Sequence, residues 1–410
     1  MGRDQSIGAG RGFSRRGLLL GGAVAGFGAA AAIGSDHLLN DPAVLSGTDG
    51  DRPVTGQESV PFHGAHQAGV ETPPQAHATF IALALHPDAD RDALRRLMGI
   101  LTDDAARLSQ GRPALADSEP ELGAVPARIT VTFGFGPELV LRAAGGSALP
   151  GWLGPLPSFA VDRLDPAFCG GDLLLQIGAD DPLTVAHAAR MLLRDARSFA
   201  DVLWTQTGFR RARGSEPANT TTRNLFGQVD GTVNPTPGSA DFNRLVWAEG
   251  GWLSGGTGMV VRRIRMDLDK WDRLDRAGRE QAVGRHLSNG APLTGRLERD
   301  EPDFDAVTPI GFPVIPEFSH LRRARSDNPD ERIYRRGYNY DDAPGGGSVS
   351  NSGLIFVSYQ ADVARQFVPL QRRLDELDLL SAWTTPIGSA VFAIPPGCGP
   401  GGFIGETLLA

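Results

Sequence analysis

A chain of 410 residues is longer than one ordinary hydrophobic core organises, so two domains or one large composite domain are expected. With 41% hydrophobic and 21% charged residues the body is globular, and a net charge of −8 without a clustered basic face argues against a nucleic-acid partner. The two cysteines, Cys169 and Cys398, allow one disulfide at most, and 53 glycines with 30 prolines indicate many loops.

The chain opens on a segment that does not read as part of the fold. Residues 1–35 contain "SRRGLLLGGAVAGFGAAAAIG", in which Arg15 and Arg16 precede a weakly apolar run of small residues. That is the layout of a twin-arginine export signal, with a permanent membrane anchor as the alternative. It implies passage through the twin-arginine translocase and an extracellular or periplasmic location. That route carries proteins already folded, often around a cofactor. Residues 36–72 have no sustained period and read as linker.

Order begins near Ala76. "ATFIALAL" predicts a buried strand, and "DADRDALRRLMGILTDDAARLSQ" a helix behind an acidic start. "RITVTFGFG" and "GDLLLQIGA" follow as strands, "PLTVAHAARMLLRDARSF" as a helix and "VLWTQTGFRRA" as a strand. The order β-α-β-β-α-β is the split unit of ferredoxin-like folds. In the second half "GMVVRRIRMDL", "GLIFVSYQ" and "GSAVFAIPP" predict strands. "DKWDRLDRAGREQAVGRHL" and "DVARQFVPLQRRLDELDLL" predict helices. The expected fold is α+β: two ferredoxin-like domains over 73–215 and 222–410, each an antiparallel sheet packed with helices. The exposed edges of such sheets suggest a homodimer. Residues 288–332 form a long irregular stretch, and loops of that length inside a compact domain are often functional.

Phosphate loops, nucleophile elbows, HExxH and CxxC are all absent. His63, His66 and His77 lie close in sequence, but no cysteine joins them to complete a zinc pattern. His320 stands apart, in "PEFSHLRRARSDNPDERIYRRGYNY". On charge alone this is a solvated basic loop. Phe318, Tyr334, Tyr338 and Tyr340 among the arginines instead suit a flat, anionic, partly apolar ligand such as haem, with imidazole for iron and guanidiniums for propionates. In "NLFGQVDGTVNP" (224–235), Asp230 lies between Gly227 and Gly231. By itself Asp-Gly is a common turn pair.

"NLFGQVDGTVNP" resembles the G-x-x-D-G signature of the dye-decolourising peroxidases, bacterial haem peroxidases of two ferredoxin-like domains. "CGGDLLLQIGADDP", "AVGRHLSNGAPL", "FSHLRRA", "IYRRGYNY", "GLIFVSYQ" and "TTPIGSAVFAIP" follow in that family's order, so the resemblance covers nearly all of the chain after residue 60. One branch of the family is exported by the twin-arginine route and includes deferrochelatase-like proteins.

The resemblance implies haem b, hydrogen peroxide and a reducing substrate such as a dye or phenolic. It makes His320 the proximal iron ligand, Asp230 the distal acid–base and Arg335 the distal arginine. Gly231, Thr232 and Val233 match residues lining the haem, and Leu354 with Phe356 match the apolar distal wall. The family's N-P-R after the proximal histidine is displaced here to Asn328-Pro329, which makes Arg325 the expected propionate partner. An acid usually supports the proximal histidine; Asp375, Glu376 and Asp378 are the nearby candidates. A carboxylate as acid–base implies an acidic optimum, about pH 3–5. The alternative function is haem handling in iron uptake, with iron released from an intact porphyrin.

Overall fold

The computed structural model describes residues 56–217 and 219–410; the expected export signal and the first part of the linker lie outside them. Strand β1 (His77–Leu85) leads into helix α1 (Arg91–Leu108), β2 (Thr130–Phe135), α2 (Pro137–Ala144), β3 (Leu173–Ala179), α3 (Pro182–Ala196) and β4 (Ala200–Phe209). Asp90 caps α1 by accepting from the Ala93 N–H at 2.8 Å, and Asp181 caps α3 ahead of Pro182. Leu94, Leu97, Met98, Leu101, Ala105 and Leu108 recur at helical spacing in α1 and are buried, so that helix lies on the sheet by its sequence period.

The second half contains α4 (Ala240–Val246), β5 (Thr257–Met266), α5 (Leu268–Trp271), α6 (Arg276–Val283), α7 (His320–Ala324), β6 (Tyr334–Arg335), β7 (Tyr338–Asp342), β8 (Asn351–Gln360), α8 (Phe367–Leu377), β9 (Thr384–Ile394) and α9 (Glu406–Leu409). The single helix expected over 269–287 is broken in two. Asp275 starts a second helix by accepting from Gly278 N–H at 2.7 Å, and Gly284 ends it at φ +85°. Strands β6 and β7 were not legible as strands, because Arg335, Arg336 and Asn339 interrupt the apolar alternation.

Each half is a four-stranded antiparallel sheet, β2-β3-β1-β4 and β9-β5-β8-β7, with β6 added on β8. The halves meet at two seams, Phe135 against Ala393 and Phe209 against Asn339, and β5 also pairs with β8. Eight strands therefore close into a ring. Closure leaves only the two-residue β6 as a sheet edge among the described residues, which removes the open edges on which the dimer expectation rested.

Both faces of the ring are apolar, which is why β1 reads as a continuous hydrophobic run. Ala78, Phe80 and Ala82 point inward to Leu174, Met259, Tyr338, Ile355 and Phe392. Ile81, Leu83 and Leu85 point outward to the helices. Fully burying a side chain such as Phe80 or Phe392 contributes about 1.5–3 kcal/mol.

The stretch 56–76 carries no helix and no strand, yet it is firmly held. Gln67 donates to Phe133 and Pro395 carbonyls, both at 3.0 Å, and accepts from Phe133 N–H at 2.8 Å. It thus satisfies backbone groups at the β2–β9 seam. At the other seam, Arg210 N–H donates to the Ala76 carbonyl at 2.7 Å. His66 stacks on Trp247, His63 lies beside the Cys398 thiol, and both cysteines are free. No metal-ligating group of three is present among the described residues.

Candidate active site

The loop around Asp230 is built by Asn224. Its side-chain oxygen accepts from Phe226 N–H at 3.1 Å and Gln228 N–H at 3.3 Å, and its amide reaches Asp230 Oδ2 at 3.4 Å. Asp230 N–H donates to the Thr222 carbonyl at 2.8 Å. Gly227 and Gly231 sit at φ +78° and +126°, where an L side chain is strained, so the backbone itself demands glycine on either side of the acid.

Arg335 Nη1 donates to Asp230 Oδ1 at 2.7 Å, with both side chains about three-quarters buried. Arg335 is held by its own backbone as well. Asn234 accepts from Arg335 N–H at 3.0 Å and donates to its carbonyl at 2.7 Å. The sequence reading missed Asn234, although it stands in the quoted motif four residues after Asp230; only the pairing across 101 residues reveals its task.

These groups line a cavity of about 410 Å³ together with Gly231, Thr232, Leu354 and Phe356. Leu354 and Phe356 share a face of β8, and Phe356 packs on Phe367 of α8 with ring centroids 6.0 Å apart. Thr232 donates to Glu298 Oε1 at 2.9 Å, as does Thr221 at 2.6 Å. Val233 is 55% exposed and does not line the cavity. Arg325 is paired with Glu301 at the surface, also away from the lining; Arg210 and Arg299 are the further arginines at the cavity wall besides Arg223.

His320 opens α7, and its Nδ1 lies 2.6 Å from Asp378 Oδ2. A carboxylate only accepts, so Nδ1 carries the proton and Nε2 keeps its lone pair for a metal. Asp378 caps the turn after α8 by accepting from Leu380 N–H at 3.0 Å. Burial disfavours the imidazolium, but the Asp378 carboxylate outweighs it and raises the proton affinity of His320 above its ordinary value; Arg335 lowers it and Asp230 raises it further. The other two candidate acids are occupied elsewhere. Asp375 accepts from Ala160 and Val161 N–H, both at 2.8 Å, and Glu376 pairs with Arg323. Asp378 was one of three candidates in sequence because its choice depends on how α7 meets the end of α8.

His320 is not among the residues lining this cavity, but the groups present fit haem on chemical grounds: one imidazole with a free nitrogen backed by a carboxylate, an apolar strand face, and arginines at the cavity wall. Sequence comparison agrees. The profile described as Dyp-type peroxidase, N-terminal, matches residues 67–210, and the C-terminal one matches 221–399. The chain belongs to the DyP-type peroxidases. It is therefore a haem peroxidase, which uses hydrogen peroxide and a reducing substrate. It is 37% identical to a dye-decolorizing peroxidase of Thermobifida fusca over 97% of this chain and 98% of that one. It is 33% identical to a deferrochelatase of Escherichia coli O157:H7, over 97% of each. Among solved structures, a DyP-type peroxidase from Cellulomonas bogoriensis superposes with TM-score 0.84 at 53% identity, covering 87% of this chain and 99% of that one. The oxyferrous complex of DtpA from Streptomyces lividans gives 0.83 at 41% identity, with coverage of 87% and 99%. The two-domain α+β architecture of the family is the one described above.

Proposed function

We propose that this DyP-type peroxidase holds haem iron through His320 Nε2 and handles peroxide with Asp230 and Arg335. The observation that carries the reading is the 2.7 Å contact of Arg335 Nη1 with Asp230 Oδ1 inside a cavity walled by Leu354 and Phe356. Bound haem would supply the redox-active centre for the two oxidising equivalents of peroxide.

Asp230 accepts a proton from one oxygen of hydrogen peroxide and delivers it to the other, which leaves as water when the O–O bond breaks. Arg335 stabilises the negative charge that builds on the departing oxygen. Asn224 and Asn234 hold the two partners from either side, so neither has to be oriented during the reaction. Asp378 keeps the His320 ring in one tautomer and makes it a stronger donor. Gly231 and Thr232 contribute to the cavity surface against which the macrocycle would lie.

The test is the absorption spectrum of the haem-loaded protein before and after one equivalent of hydrogen peroxide. His320→Ala should lose the intense haem band, and Asp230→Asn and Arg335→Leu should keep it but convert slowly with peroxide. A full-strength band in His320→Ala would overturn the ligand assignment. Dyes and phenolics are the proposed reductants. The relatives named deferrochelatase support a second reading, release of iron from haem, which predicts free protoporphyrin among the products. Export by the twin-arginine translocase is proposed from Arg15 and Arg16; a reporter fused to residues 1–35 should stay inside cells that lack the translocase.

A further inference from the structure

Arg336 follows Arg335, and its N–H donates to the Val357 carbonyl at 2.9 Å, extending the pairing of β6 with β8. Strand alternation sends its side chain the opposite way from Arg335, into the interior of the ring. There it is 1% exposed. The guanidinium donates to the Thr72 carbonyl and to Gln75 Oε1, the latter at 2.5 Å. Its charge lies among the phenols of Tyr338, Tyr334 and Tyr359. Among the described residues Nε has no partner and no carboxylate pairs with this arginine.

A buried cation without an acid is a costly way to fill space, since an apolar side chain of similar volume avoids the desolvation. Its contacts indicate what the charge does. Gln75 is itself fixed to the N-terminal sheet, donating to the Arg128 carbonyl at 2.8 Å and Thr130 Oγ1 at 3.0 Å. Residues Glu71, Pro73 and Pro74, beside the Thr72 carbonyl, line the same cavity as Asp230 and Arg335. A rigid path therefore runs from the N-terminal sheet through Gln75 and Arg336 to the backbone of Arg335, which Asn234 holds from the other side.

We propose that Arg336 is a positioning residue for the peroxide reaction: it ties segment 72–75 to β6 and so sets where Arg335 stands over Asp230. This rests on the reading of Arg335 as the charge that assists O–O cleavage. The experiment measures the second-order rate of the haem-loaded full chain with hydrogen peroxide for wild type, Arg336→Met, Arg336→Lys, Arg335→Leu and the double variant R335L/R336M. Haem content and melting temperature are recorded alongside.

Arg336→Met should slow the reaction by roughly tenfold or more, as displacement of a catalytic group by a fraction of an ångström does. The double variant should be no slower than Arg335→Leu, because the tie acts only through Arg335. Arg336→Lys keeps the charge but not the two-point contact, and should fall between; it carries the test should Arg336→Met fail to fold. Losses that multiply in the double variant, or wild-type rates in both Arg336 variants, overturn the proposal. Wild-type rates in Arg335→Leu would overturn the underlying reading, whereas a slow Arg335→Leu beside unimpaired Arg336 variants would sink this inference alone.

Discussion

The two halves of the ring share one strand order and differ in how they treat charge. In the N-terminal half, α1 and α3 cover the sheet with 18 and 15 residues of unbroken helix. A buried polar pair there is closed on itself: His187 Nε2 lies 2.9 Å from Asp117 Oδ2, with both side chains almost wholly inaccessible. In the C-terminal half, α5, α6 and α7 are short, and the 288–332 stretch is irregular apart from α7. Asp230 and Arg335 there face a cavity, and His320 on α7 is backed by Asp378. Continuous helices leave no room for a flat cofactor, whereas interrupted ones make room and expose backbone that loops must satisfy. The same topology thus serves as packing in one half and leaves room for the candidate site in the other.

Variants in each half sharpen this contrast. The largest effect is expected from His320→Ala, which should abolish haem binding and peroxidase turnover while circular dichroism of the ring stays unchanged. Next come Asp230→Asn and Arg335→Leu, each lowering the peroxide rate by about 10²–10³ with haem retained, as stopped-flow absorbance would show. Retention of haem is expected to suffer more from Arg299→Ala than from Arg325→Ala, because Arg299 lines the cavity while Arg325 is paired with Glu301. Haem transfer to an apo-globin acceptor measures this.

His187 and Asp195, which do not line the cavity, should respond in stability alone. His187→Ala removes the partner of Asp117 Oδ2 while Oδ1 still accepts from Glu119 N–H, and should cost about 1–3 kcal/mol in denaturant unfolding, with turnover per bound haem intact. Asp195 should alter only the pH profile of unfolding. Burial, and then the charge of Asp104, push its carboxyl up to about 7. The folded state therefore keeps a proton that the unfolded chain releases above its ordinary carboxylate range. Stability falls as pH rises from about 4 to 7, and Asp195→Asn should flatten that fall. An unchanged slope would remove Asp195 from the account.

Much of the first half was legible because its elements are long and strictly periodic. The run of β1 and the spacing of Leu94, Leu97, Leu101 and Leu108 need no knowledge of partners. The second half was less legible where residues serve a site. In β6 and β7, Arg335, Arg336 and Asn339 replace the alternation that marks a strand. Gln67 looks like an ordinary linker residue until the seam it fills is known.

By itself the sequence determined the α+β class, the β-α-β-β-α-β element order of the first half, the family, and the candidates His320, Asp230 and Arg335, because these are carried by local period or by motifs of short span. Tertiary structure decided the rest. Closure of the two sheets into a ring, the choice of Asp378 over Asp375 and Glu376, the grip of Asn234 on Arg335, and the surface position of Arg325 all join residues far apart in the chain. Such pairings depend on the angle and register at which helices and strands meet. A hydrophobic period fixes which face of an element is buried, and leaves open which distant polar group it will meet there.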